Sequence, residues 1–229
     1  MPSRASGPGA WPGERPHHLS RPATAPAAPQ KKSRGASERE DKARQKVRKL
    51  TGAFEVSKYV FLDEMGSNLG LTRLYGRAAP GQRVPDQVPG DRGGNGSTSG
   101  AIGLDGIRTG LSVPGPIDGE TMRFFGEELL VPTLHRGDSV VMDNASIHKL
   151  DDIEDVIEAA GAWVLFLPTY SPDLNPIEPG WSKVKALLRS RKPRTLPDLL
   201  DALGEAFASI TLHDILGWVR HCGYRIAPT

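Results

Sequence analysis

The sequence predicts a mixed α/β sheet with helices on both faces, and three observations lead there. Strand-length apolar runs crowd the first half of the body, so antiparallel pairing is expected first. Helix-length amphipathic segments then alternate with short buried strands, the pattern of α/β units. At 229 residues the chain suits one domain of ordinary size plus a tail. A hydrophobic content of 38% is low for a wholly packed chain, so part of it is expected to stay outside the core.

The elements follow in order. Residues 1–30 hold seven prolines among Gly, Ala, Ser and His and read as a disordered leader. Residues 31–55 shift to charged helix formers and read as a polar helical linker, with Ser37 and Glu40 at capping-box spacing and a short helix to about Leu50. The remaining residues, 56–229, are the folded domain. "KYVFLDE" is its first core strand, ending at Asp63. "GLTRLYG" reads as a second strand. "SGAIGLDGI" reads as a third, turning at Asp105-Gly106, and "VPDQVPGDRGGNGSTSG" before it as a turn-rich stretch with little to pack. Asp118 caps a helix over "GETMRFFGEELLVPTL". "SVVMDNA" is a short buried strand ending at Asp143, "DDIEDVIEAAG" an amphipathic helix stopped by Gly161, and "WVLFLP" another buried strand. Ile177, Trp181, Val184 and Leu188 then recur at helical spacing, which makes Trp181 a core residue. Thr195 with Asp198, and Thr211 with Asp214, cap two closing helices.

Composition excludes several classes. The single cysteine, Cys222, rules out a disulfide framework and a cysteine-rich zinc site. No apolar run approaches the roughly 18 to 20 residues of a membrane span, and the start lacks the apolar stretch of a secretory signal, so no membrane partner and a cytoplasmic setting are expected. Residues 1–50 carry twelve Lys/Arg against four Asp/Glu, while the rest carry seventeen against twenty-three. The basic tail suits phosphate; the acidic body must contact nucleic acid through a local patch.

Three acids carry candidate chemistry. Asp63 and Asp143 each end an apolar strand, where ligands bind in α/β sheets. Glu178 sits in "YSPDLNPIEPGW". With Asn175 as N-cap and Pro176 at the first helical position, it occupies a capping-box position. The three prolines fix the chain direction before it, which is what a ligand-positioning loop requires. Both readings of Glu178 stand. Three carboxylates without thiolates suit Mg²⁺ or Mn²⁺ rather than zinc. Two such ions about 3.5–4 Å apart activate a nucleophile and stabilise the leaving oxygen of a phosphodiester.

"VFLDE", "VVMDNASIHK" and "LFLPTYSPDLNPIEPGWSKVK" resemble the signatures of DDE transposases of bacterial insertion sequences, in the mariner-like superfamily. The 34 residues between Asp143 and Glu178 match that group's spacing, and "SNLGLTRLYGRAAPGQR" resembles the segment after its first acid. The similarity covers about residues 31–229. It implies an RNase H-like fold and a DDE endonuclease that cuts double-stranded DNA at element ends and joins them to target DNA. It implies two Mg²⁺ or Mn²⁺ ions held by Asp63, Asp143 and Glu178, a homodimer when active, and a nucleoid-associated place of work.

Around these acids, Asn144 and Asn175 are read as orienting the carboxylates, and His148 as touching phosphate or the site; turn, cap and solvated-loop roles are the bland alternatives. Lys183, Lys185, Arg189, Arg191, Lys192 and Arg194 form a basic run expected to hold DNA, with Arg73, Arg77 and Arg83 as lesser additions. Glu64, Asp151, Asp152 and Asp173 read as surface or cap groups. Two departures stand out. The leader shows no helix-turn-helix pattern, so a split or truncated transposase is expected, with an inactive DNA-binding remnant or another RNase H-like nuclease as rivals. "GGNGSTSGAI" and Gly180 are poor in strand and helix formers and suggest a weakened fold.

Overall fold

The computed structural model describes residues 40–51, 55–90, 94–143 and 147–226, with backbone alone for 147–152. The leader, Ser37 and Asn144 lie outside them. Helix α1 (Asp41–Thr51) precedes the sheet, and strands β1 (Tyr59–Asn68), β2 (Asn95–Gly103) and β3 (Gly106–Pro114) follow. Then come α2 (Gly119–Phe124), β4 (Ser139–Met142), α3 (Ile147–Ala159), β5 (Trp163–Phe166), α4 (Ile177–Arg191), α5 (Leu196–Ala208) and α6 (Leu212–His221).

The sheet order is β3-β2-β1-β4-β5. β1 pairs antiparallel with β2, β2 antiparallel with β3, and β4 lies parallel to both β1 and β5. This is the expected mixed sheet. Side chains alternate across it. Tyr59, Phe61 and Met65 join the core under α1, α4, α5 and α6, which supply Val47, Trp181, Leu188, Leu203 and Ile215. Val60 and Leu62 point the other way, into the core built by Phe125, Leu130, Ile153 and Ile157. Burying each such side chain contributes about 1.5–3 kcal/mol.

Several expected boundaries are corrected. "GLTRLYG" is not a strand; residues 71–90 are irregular. The partner of β1 is instead "NGSTSGAIG", whose backbone pairs along nearly its whole length. The hairpin between β2 and β3 turns at Leu104-Asp105, one residue earlier than the expected Asp105-Gly106, and Gly106, with its positive φ of 140°, opens β3. β1 does not end at Asp63 but runs five residues further, because β2 extends alongside it to Asn95. β4 stops at Met142, one residue short of Asp143, and β5 at Phe166, two residues short of the expected end. Asp118 caps α2 by accepting from the Thr121 N–H, and the helix continues through a π-helical stretch, Phe125–Leu130. α3 begins at Ile147, so His148 sits in a helix, with its side chain outside the described part.

The glycines read as weakness are close approaches. A Cβ at Gly100 would stand 2.6 Å from Cη2 of Trp181, and one at Gly180 3.2 Å from Cζ3 of Trp218. Strand and helix propensity yields there to helix–sheet and helix–helix contact. The caps of α5 and α6 form as expected: Thr195 accepts from the Asp198 N–H, and Thr211 with Asp214 makes a reciprocal capping box.

α1 lacks the apolar face to stand alone, and its docking is largely polar. Arg44 is buried, donating 2.6 Å to Ser171 Oγ and gripping both carboxylate oxygens of Asp173 at 3.1 and 2.6 Å. Such a fork is geometrically specific. Arg44→Met keeps the stem but leaves the buried Ser171 hydroxyl without its donor. It is expected to lower the unfolding free energy by about 1–3 kcal/mol, read as a lower urea midpoint at unchanged m-value.

Candidate active site

Strand register places the first two acids. Phe61 pairs with Val141 across the parallel β1–β4 ladder; Asp63 and Asp143 each lie two residues further on. By parity both belong to the face covered by α4. β4 has ended there, while β1 continues, so Asp63 stands at a notch in the sheet rather than at a strand terminus.

The segment from Tyr170 to Trp181 brings the third acid. Tyr170 has a left-handed backbone, φ 56°, at a cost of about 1–2 kcal/mol for a non-glycine residue. Pro172–Leu174 makes one 3₁₀ turn. Four contacts brace it: Arg44 on Ser171, Arg44 on Asp173, Tyr224 Oη donating to the Leu174 carbonyl at 2.9 Å, and Asn175 Nδ2 donating to the Leu62 carbonyl at 3.1 Å. Asn175 is buried and bonds the main chain beside Asp63. Its Oδ1 receives the Ile177 N–H at 3.4 Å, a long contact.

Glu178 lies in the first turn of α4. The helix begins one residue later than the capping reading requires, with Pro176 at the N-cap and no side-chain cap. The carboxylate thus stands at the positive end of a helix dipole without a capping-box role. Asp63, Asp143 and Glu178 line one cleft of about 440 Å³ with Leu167, Thr169, Tyr170, Ser171 and Asn175.

Electrostatics couple these groups. Burial, followed by the nearby charges of Glu178 and then Asp143, pushes Asp63 up to about 7, against hydrogen bonds from the Glu64 N–H and the Trp181 indole. Burial also raises Glu178; Lys185 opposes the shift and Asp143 adds to it. The cleft concentrates negative charge that a hard cation would compensate. Among the described residues no three Asp, Glu, His or Cys side chains converge as a ready cage for one ion. Mg²⁺ keeps several waters and takes one or two carboxylates plus substrate phosphates, so it does not require such a cage, and hard carboxylates facing one cleft suit it chemically. The donor set fits the metal.

Trp181, expected as core alone, is core and more: it is 3% exposed and its Nε1–H donates to Asp63 Oδ2 at 3.0 Å. Helical spacing from Glu178 was the signal available for it. Asp173, expected as a surface or cap group, anchors Arg44.

The basic run is more engaged than a solvated face. Lys183 bonds the Ser209 carbonyl and Asp214; Arg191 pairs with Glu205 and Lys192 with Asp86. Arg194 donates to the carbonyls of Leu69 and Leu71. Lys185 acts on Glu178, and Arg189 is half-buried on α4. Arg73 bonds Ser190 Oγ; Arg77 and Arg83 are exposed in the loop after β1.

Asp63 makes stability pH-dependent. Its folded value of about 7 lies above the ordinary 3.8, so the folded chain holds a proton that the unfolded chain has released. Stability present below about pH 4 is therefore lost as pH rises through 7, by up to about 4 kcal/mol. Glu178 acts in the same direction. In EDTA, the thermal midpoint is expected to fall between about pH 4 and pH 8, and Asp63→Asn to flatten that fall and raise the midpoint near pH 8.

Known proteins share this fold. No curated protein sequence matches the chain. Among solved structures, the Mos1 transposase paired-end complex with left transposon end aligns at 18% identity and TM-score 0.67, covering 86% of this chain and 64% of that one. The Mos1 mariner paired end complex with Mn aligns at 19% identity and TM-score 0.62, covering 86% and 65%. The catalytic domain of Mos1 mariner transposase aligns at 15% identity and TM-score 0.55, covering 83% and 92%. The chain thus spans just under two thirds of the longer Mos1 chains and shares the fold of their catalytic domain, which is RNase H-like. The sequence profile described as DDE superfamily endonuclease matches residues 58–200, a span that contains Asp63, Asp143 and Glu178. This chain belongs to the DDE superfamily endonucleases.

Proposed function

We propose that this chain performs DNA transposition: divalent-metal-dependent cleavage of double-stranded DNA at element ends, then strand transfer into target DNA. The observation that carries the proposal is that Asp63, Asp143 and Glu178 all line one cleft, where burial and the nearby charges of Glu178 and Asp143 push Asp63 to about 7. The three carboxylates would hold two ions, Mg²⁺ or Mn²⁺, which would supply Lewis-acid activation of the attacking oxygen and balance charge on the leaving one.

The chain's own residues do the positioning. Asn175 ties the start of α4 to β1, so Glu178 cannot drift from Asp63. The braced, proline-stiffened turn holds the cleft wall at Tyr170 and Ser171, ready to receive a phosphodiester without rearrangement. Water is the nucleophile in cleavage and a DNA 3′-hydroxyl in transfer; each displaces one phosphodiester oxygen in line. Asn144 and His148, on the segment after Asp143, are assigned to support that carboxylate and the bound phosphate.

Lys185 and Arg189 on α4, with Arg191, Lys192, Arg194 and Lys183, are assigned to DNA. The exposed pairs Arg191–Glu205 and Lys192–Asp86 contribute little to stability and can exchange carboxylate for phosphate. Some of the Mos1 structures of similar fold are paired-end complexes, and on that likeness we take two copies of this chain to act together. No described helix is long and apolar enough to cross a membrane. On the reading of this chain as a DNA-cutting enzyme, a cytoplasmic, nucleoid-associated setting is proposed.

Purified protein with Mn²⁺ is expected to nick duplex DNA carrying the flanking element end, and Glu178→Gln or Asp143→Asn to reduce the rate about a hundredfold or more. Equal nicking by the variants would overturn the assignment. DNA binding without any cleavage would point to an inactive remnant, and preference for RNA–DNA hybrids to another RNase H-like nuclease. Replacing Lys185, Arg189 and Arg191 together by Ala is expected to flatten the salt dependence of DNA binding by about 2–3 in log–log slope, measured by fluorescence anisotropy.

A further inference from the structure

We infer that Trp181 is a positioning residue for Asp63: its indole N–H holds the first acid in place for its cation. This rests on the metal-dependent reading of the cleft and extends it to a residue outside the three acids.

Four observations support the inference. The donor and acceptor are distant in sequence, yet Trp181 Nε1 stands 3.0 Å from Asp63 Oδ2. Trp181 follows Glu178 by three residues on α4, so both lie on neighbouring positions of one helix face. One turn of helix therefore presents the third acid and the group that grips the first. The residue paired with Asp63 across the β1–β2 ladder is Gly100, and a Cβ there would stand 2.6 Å from Cη2 and 3.3 Å from Cζ2 of the indole. The indole reaches Asp63 because β2 carries no side chain at this position. Finally, Phe207 of α5 packs edge-on against the ring, centroids 6.1 Å apart at 71°, which limits its rotation.

The chemistry of the group fits the task. An indole N–H is a donor and nothing else. It can fix one oxygen of a carboxylate without bringing a positive charge that would compete with a cation. A lysine or arginine at this position would neutralise the ligand; a phenylalanine would fill the space and leave the carboxylate free to turn. Groups that hold a ligating side chain from behind typically change metal affinity by 10–100-fold when removed.

The test uses the full chain, with Mn²⁺ alone and Mg²⁺ alone as probes. Trp181→Phe keeps most of the ring and removes the N–H. Mn²⁺ binding is read by the electron paramagnetic resonance of the free ion, and folding by circular dichroism. The variant is expected to fold, bind Mn²⁺ roughly tenfold more weakly, and lose kcat for DNA nicking at unchanged KM for DNA, with partial recovery at high Mn²⁺. The indole ¹⁵N–H resonance of Trp181, identified by its loss in that variant, is expected to move on adding Mg²⁺ and to shift in Asp63→Asn. Unchanged Mn²⁺ affinity in a folded Trp181→Phe would overturn the inference and leave the indole as core filling. If that variant does not fold, selective fluorination of the tryptophans supplies the signal in the wild-type frame. A Trp181 resonance indifferent to both Mg²⁺ and Asp63→Asn then overturns it equally. Wild-type protein that binds Mn²⁺ with the expected dependence on Trp181 but cuts no DNA would refute the transposition reading and leave the positioning role standing.

Discussion

The hydrogen bond from the buried Asn175 side chain to the Leu62 carbonyl is the constraint on which the site depends. It joins the start of α4 to the central strand β1, one residue before Asp63. A buried amide left unpaired would cost about 1–3 kcal/mol, so a slide of the helix start along β1 is opposed by the loss of this bond. With the Trp181 bond to Asp63 and the packing of α4 on the sheet, the Asn175 bond sets how near Glu178 lies to Asp63.

The surrounding contacts make that constraint stiff. Tyr224 holds the carbonyl next to it and Arg44 grips the turn before it, so elements from both ends of the described chain converge on five residues. The prolines reduce the conformations the turn would otherwise sample, and the left-handed Tyr170 is tolerated because its neighbours are held. A preorganised wall of this kind is what phosphoryl chemistry asks of a protein that contributes mainly position and field. The same packing buries Asp63, and that burial, with the nearby charge of Glu178 second and Asp143 adding to it, is the source of its high proton affinity.

The glycines show how a local rule can mislead. Gly100 weakens a strand in isolation, yet here it opens the space through which Trp181 reaches Asp63. Gly180 lowers helix propensity, yet it lets α4 lie close against Trp218 of α6. The loss of the expected strand at 70–76 has a similar origin. Its residues carry strand-forming side chains, but β2 supplies a longer backbone ladder to β1 with Asn95–Gly103, and pairing rather than propensity decides the partner.

By itself the sequence determined the order of strands and helices after residue 110, the caps of the closing helices, and the three acids with their spacing. Those features are local: periodicity, caps and short motifs depend on neighbouring residues. Only the tertiary structure decided that Asp63 lies within a strand at a notch left by β4, that Glu178 does not cap its helix, and that Asp173 and Arg44 lock the turn. It also decided that Trp181 touches Asp63 and that most of the basic run is tied to other groups. Each of these pairs residues far apart in the chain, and such contacts are set by register and helix packing, which no single segment encodes.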